Sequence, residues 1–135
     1  MKKILVGFDG SEGAERALNR AMMLIEENGE LVLLAVVPTK SDESFVDENA
    51  YEKMKKRAET LISNTIKDLG LQDLSVEGLV EEGDAAAKII DVANRLNVEL
   101  IILGSRGTSE IGRYTIGSVA NKVVQYAHKP VMLVR

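Results

Sequence analysis

Three glycines and one serine set the chemical question in this chain. Gly104 and Gly107 frame the segment Gly104-Ser105-Arg106-Gly107, and Gly117 is followed directly by Ser118. Glycine lets backbone N–H groups approach an anion with no side chain in the way. Gly117-Ser118 stands at the start of an amphipathic helix whose apolar positions read as Ile116, Val119, Ala120, Val123, Val124 and Ala127. Free N–H groups and the positive dipole end attract phosphate at such a helix start. Ser118 adds a hydroxyl donor. Arg106 is the better placed arginine for a charge-assisted bond, and Arg113 equally suits a solvated face. Asp9 ends the first apolar run and is read in two ways: as a cap for the next helix together with Ser11, or as a ligand contact. The spacing Gly104-x2-Gly107-x9-Gly117-Ser118 is neither the Walker loop nor the dinucleotide fingerprint, which disfavours P-loop hydrolysis and NAD binding.

These residues need elements to hold them. Ile4 to Phe8 reads as a buried strand. Ala14, Ala17, Leu18, Ala21, Met22 and Ile25 fall on one helical face, with Gly29 as the expected C-cap. Leu31 to Val37 is a second apolar run, stopped by Pro38. Residues 39–48 are polar and acidic and read as a surface loop. Tyr51, Met54, Ala58, Leu61, Ile62, Thr65 and Leu69 mark a second helix ending at Gly70. Leu74, Val76, Gly78 and Val80 form a weaker strand that reads as an edge. Asp84 is the expected N-cap of a third helix carrying Ala86, Ile89, Ile90 and Ala93 inward. Leu100 to Leu103 is a strand that runs into the glycine segment, and Val131 to Val134 is the last strand.

Strand and helix alternate throughout, which predicts a three-layer α/β/α domain over residues 1–135 with an open five-stranded parallel sheet. If strands 1, 2 and 3 wind one way, right-handed crossovers return strand 4 beside strand 1, and the strand order is 3-2-1-4-5. The winding then reverses between strands 1 and 4, and ligands in open sheets sit beyond the strand ends at such a reversal. Asp9 follows strand 1 and Gly104 follows strand 4. The last strand has an apolar open edge, and pairing with the same strand of a second copy through residues 131–135 would cover it.

Composition excludes several classes. There is no cysteine, hence no disulfide scaffold and no thiolate metal site. The formal net charge is -4, without a basic stripe, and the chain has no Trp and few aromatics, which argues against nucleic-acid binding. No segment has the apolar length of a membrane span, and the opening apolar run is too short for a signal peptide, so a cytoplasmic location is expected. His128, the sole histidine, is distant in sequence from Asp9 and the glycines. No catalytic residue is assigned.

The glycine spacing resembles the nucleotide-binding motif of the universal stress protein family, and the likeness extends along nearly the whole chain. Lys3-Ile4-Leu5-Val6-Gly7-Phe8-Asp9-Gly10-Ser11 is similar to the family's opening strand and acidic turn. Leu33-Leu34-Ala35-Val36-Val37, the segment from Leu100 to Gly107, Gly117-Ser118-Val119-Ala120 and His128-Lys129-Pro130-Val131-Met132-Leu133-Val134 resemble its later elements. The resemblance implies a Rossmann-like fold of the adenine nucleotide alpha hydrolase type, and the ATP-binding branch of the family. It implies that Asp9 lies near the ribose and that the Val36 backbone meets adenine. It further implies that Gly104, Gly107, Gly117, Ser118 and Val119 hold the phosphates, with Arg106 beside them and Mg2+ or Mn2+ bridging. It also implies a homodimer joined through the last strands. Glu110 departs from the family pattern, which commonly has glycine there; a carboxylate turned inward would weaken triphosphate binding.

Three functions stay open at this point. The first is an ATP-binding regulatory protein of the stress response, in which nucleotide orders residues 105–114. The second is a slow ATPase or phosphotransferase, for which no general base is evident. The third is a dimeric interaction module that binds no nucleotide.

Overall fold

The computed structural model describes residues 1–39, 48–70, 73–105 and 116–135. Nine elements alternate along them: β1 (Lys3–Gly7), α1 (Glu12–Leu24), β2 (Glu30–Val37), α2 (Glu48–Leu69), β3 (Ser75–Glu82), α3 (Ala85–Arg95), β4 (Leu100–Gly104), α4 (Ser118–Tyr126) and β5 (Val131–Val134). All four strand pairings are parallel, in the order β3-β2-β1-β4-β5. The expected order and the reversal between β1 and β4 are both present.

The continuous apolar run of β2 has a simple cause. Leu31, Leu33 and Ala35 pack on the face covered by α1 and α2. Val32 and Leu34 pack on the opposite face, with residues of α3 and α4. Successive side chains alternate between two faces, so a strand between two helical layers must be apolar at every position. Burying each such leucine contributes about 1.5–3 kcal/mol.

Local signals set the helix starts. Ser11 caps α1 by accepting the Ala14 N–H at 3.2 Å, and Glu12 and Glu15 lie in its first turn. Asp84 caps α3 by accepting the Ala87 N–H at 3.0 Å, as its position predicts. Gly70 follows α2 with a φ of 54°, the left-handed stop expected of it.

Two expectations need correction. Gly29 does not cap α1. The helix ends at Leu24 with Ile25 as C-cap, and the left-handed turn residue is Asn28, with a φ of 63°. Gly29 instead leads into β2, buried so closely against Glu26 and Lys2 that a Cβ would lie 2.8 Å from one carbonyl oxygen and 3.0 Å from the other. The second correction concerns α4. Its buried seam is Ala120 and Val123, with Ala127 half-buried, whereas Ile116, Val119 and Val124 are exposed. This helix packs beside α3 and over the marginal strand β5. No further described helix covers its outer flank, so half of its apolar residues find no cover.

Candidate nucleotide site

The strand order brings the ends of β1 and β4 side by side, with Ile4, Leu5 and Val6 paired to Leu100, Ile101 and Ile102. Beyond these ends the two chains part. After β1 the chain turns through Asp9 and Gly10, where Gly10 takes a φ of 82°, into the capped start of α1. The exposed Asp9 accepts the Ser11 N–H on Oδ1 at 2.9 Å. Asp9 is therefore part of the turn that launches α1, while Ser11 is the residue that caps it. The two readings of Asp9 are compatible, because the turn uses only one carboxylate oxygen.

β4 continues into Gly104 and Ser105. The Ser105 N–H donates to the Val134 carbonyl at 2.9 Å, and the Ser105 carbonyl accepts the Gly117 N–H at 2.6 Å. That second bond pins the start of α4 to the end of β4. Gly104 and Gly117, thirteen positions apart in sequence, become neighbours at one end of the sheet.

The head of α4 has an unusual cap. Gly117 is the N-cap residue, with extended backbone, and no side chain accepts from the first turn. The Asn121 N–H bonds back to the Gly117 carbonyl at 2.9 Å. The N–H groups of Ser118, Val119 and Ala120 precede that first intrahelical bond and have no helical acceptor. Ser118 and Val119 are exposed. Orphan donors and the positive end of the helix dipole together make an anion-attracting surface at this point.

Val36 lies on β2, half-buried. Its backbone direction follows from two neighbouring bonds. The Leu34 carbonyl accepts the Phe8 N–H at 2.8 Å, so Leu34 faces β1; the Val37 carbonyl accepts the Gly83 N–H at 2.9 Å, so Val37 faces β3. Peptide groups alternate along a strand, and Val36 therefore presents its N–H and C=O on the β1 side. The pairing of β1 with β2 has already ended at Gly7 and Leu34. The Val36 peptide groups thus open past the last rung, on the same end of the sheet as Asp9, Gly104 and Gly117.

The structure brings Asp9, Val36, Gly104, Gly117, Ser118 and Val119 to one end of the sheet around the β1–β4 reversal. Arg106 and Gly107, with the remainder of the segment to residue 115, lie outside the described residues. Among the described residues no three metal-ligating side chains come together, and no helix is long and apolar enough to cross a membrane. Two residues at the site escaped the sequence reading. Ser105 is 7% exposed and is the buried polar residue of the described chain. Gly13, buried in the first turn of α1, lies against Gly104. Its signal was a glycine inside a helix, which costs helix propensity and so points to a packing reason.

Known proteins share this fold. Universal stress protein YxiE of Bacillus subtilis is 34% identical over 146 residues, covering 98% of each chain. The structure of protein MJ0577 superposes with a TM-score of 0.88 at 30% identity, covering 98% of this chain and 94% of that one. A universal stress protein family structure from Arabidopsis thaliana with AMP bound superposes with a TM-score of 0.70 at 17% identity, covering 99% of this chain and 91% of that one; likeness at that identity speaks for the fold. The sequence pattern of the universal stress protein family matches residues 1–135. With the five-stranded 3-2-1-4-5 sheet and these relatives along its whole length, the chain belongs to the universal stress protein family.

Proposed function

We propose that this protein is an ATP-binding regulatory protein of the stress response, acting in the cytoplasm as a homodimer, and that nucleotide occupies the β1–β4 crevice. The observation that carries the reading is the head of α4: a glycine N-cap with no side-chain acceptor, pinned beside the end of β4 by the bond from Gly117 to Ser105. Bare N–H groups held in place are what a phosphate chain requires. The AMP held by the Arabidopsis relative supports an adenine nucleotide as the ligand class.

The residues fit such a ligand. The Val36 N–H and C=O would pair with adenine, and the free oxygen of Asp9 would accept a ribose hydroxyl. Gly117, Ser118 and Val119 would hold phosphate oxygens, with Gly104, Arg106 and Gly107 completing the loop. Mg2+ or Mn2+ accompanying ATP would supply positive charge against the phosphates. Asp9 would face the ribose in this arrangement, which leaves no named residue as a general base for hydrolysis. Binding without efficient hydrolysis is the reading that follows.

The test is ATP titration by calorimetry of the purified protein and of Gly117→Val. Gly117 has φ -61° and ψ 155°, a conformation valine adopts without strain. The variant should therefore fold, with a capping loss of about 1 kcal/mol at most. Its branched side chain crowds the phosphates, and ATP binding should be lost. Unchanged ATP affinity in folded Gly117→Val rejects the site.

A further inference from the structure

Gly104 has a neighbour that phosphate binding does not explain. A Cβ built on it would lie 2.8 Å from the carbonyl carbon of Gly13 and 3.0 Å from that residue's Cα and oxygen. These are backbone atoms in the first turn of α1, so they cannot swing aside as a side-chain tip would. β4 and α1 meet main chain to main chain where the crevice opens, and each supplies a glycine at the contact. One residue further on, buried Ser105 spends both of its peptide groups on other elements. Its N–H goes to Val134 at the end of β5, and its C=O receives the N–H of Gly117 at the head of α4.

We infer that Gly13 and Gly104 are positioning residues for the nucleotide site: their contact fixes Ser105, and Ser105 links the end of β5 to the head of α4. A side chain at Gly104 must push the end of β4 away from α1. The Ser105 carbonyl moves with it, the bond from Gly117 weakens, and the orphan N–H groups of α4 leave the crevice. The link runs both ways. A ligand that holds the α4 head also holds Ser105 against Val134, so nucleotide affinity and the order of β5 are coupled. The coupling rests on the nucleotide reading; the joint itself does not.

Residue-resolved hydrogen exchange tests both. In nucleotide-free protein of unaltered sequence, the Ser105 and Gly117 amides should open as one unit, with matching urea dependence. In Gly104→Ala the Gly117 amide should exchange faster, and ATP affinity should fall by roughly tenfold or more while far-UV circular dichroism stays native. Saturating ATP on the unaltered protein should slow exchange at Ser105 as well as at Ser118 and Val119. Independent opening of Ser105 and Gly117 overturns the joint, whether or not Gly104→Ala folds. So does a folded Gly104→Ala with unaltered exchange at Gly117. If the unaltered protein binds no ATP, the nucleotide reading falls alone, and the nucleotide-free exchange still decides the joint.

Discussion

Asp9 receives the Ser11 N–H on one carboxylate oxygen, at 2.9 Å, and so fixes the turn between β1 and α1 with half of its functional group. The turn and any ligand contact are separable by substitution. Asp9→Asn retains an acceptor for Ser11 and should leave thermal stability close to that of the unaltered protein. Asp9→Ala removes it and should cost about 0.5–1.5 kcal/mol. In the proposed function both variants weaken ATP binding, because the charge that favours the ribose hydroxyl contact is gone from each. Thermal melts alongside calorimetry would separate the roles; an Asp9→Asn variant with undiminished affinity would remove Asp9 from the site.

Two helix caps should behave alike although one is near the crevice and the other is not. Ser11→Ala and Asp84→Ala each delete the acceptor for a first-turn N–H, on Ala14 and Ala87. Each should destabilise the fold by about 0.5–2 kcal/mol, read as a lower urea midpoint at unchanged slope. A cost near zero for either would show that water replaces that cap.

Val36 offers a backbone test. Its N–H faces the β1 side past the end of β1, so proline there removes no bond to β3. Val36→Pro should weaken ATP binding, while Val36→Ile should not, since the proposed adenine contact uses only main-chain groups. Calorimetry on the pair checks this. Equal loss in both variants would point to side-chain crowding instead.

Peptide groups alternate in the same way along β5, which ends the sheet. Pro130 and Val134 direct their carbonyls to β4, accepting from Ile101 and Ser105. Val131 and Leu133 therefore turn their peptide groups to the outer edge. Leu133→Pro should block edge pairing with a second copy and yield a monomer by light scattering, with the β4 ladder intact. Met132→Pro removes a ladder bond instead and should destabilise the chain itself. A dimer that survives Leu133→Pro is not built on this edge.

Neighbouring valines in α4 should differ sharply. Val123 is fully buried and Val124 is 50% exposed. Val123→Ala should cost about 2 kcal/mol. Val124→Ala should stay within about 0.5 kcal/mol. Chemical denaturation of the two variants measures the width of the α4 seam directly.

Much of the fold was legible because its signals are local. The period of Ala14, Ala17, Leu18 and Ala21 names the buried face of α1, and these four are buried. Asp84 before Ala85 announces a helix start by side-chain chemistry alone. The two misreadings, Gly29 and the outer residues of α4, share one cause. A glycine between a helix and a strand is open to several uses, and its use depends on what presses against it from elsewhere. An apolar residue on a short helix at the sheet margin is buried only where another element reaches it.

Alternating apolar runs and caps were enough to predict the layered fold, and an assumed winding direction with right-handed crossovers led to its strand order and to the end of the sheet proposed for a ligand, because each of these signals acts over a few residues or follows from chirality. Tertiary structure alone decided that Gly104 rests on the backbone of Gly13, that Ser105 joins β5 to α4, and that Val36 opens past the end of β1. Those relations link segments far apart in sequence, and their distances are set by how whole layers pack, which no local pattern of residues encodes.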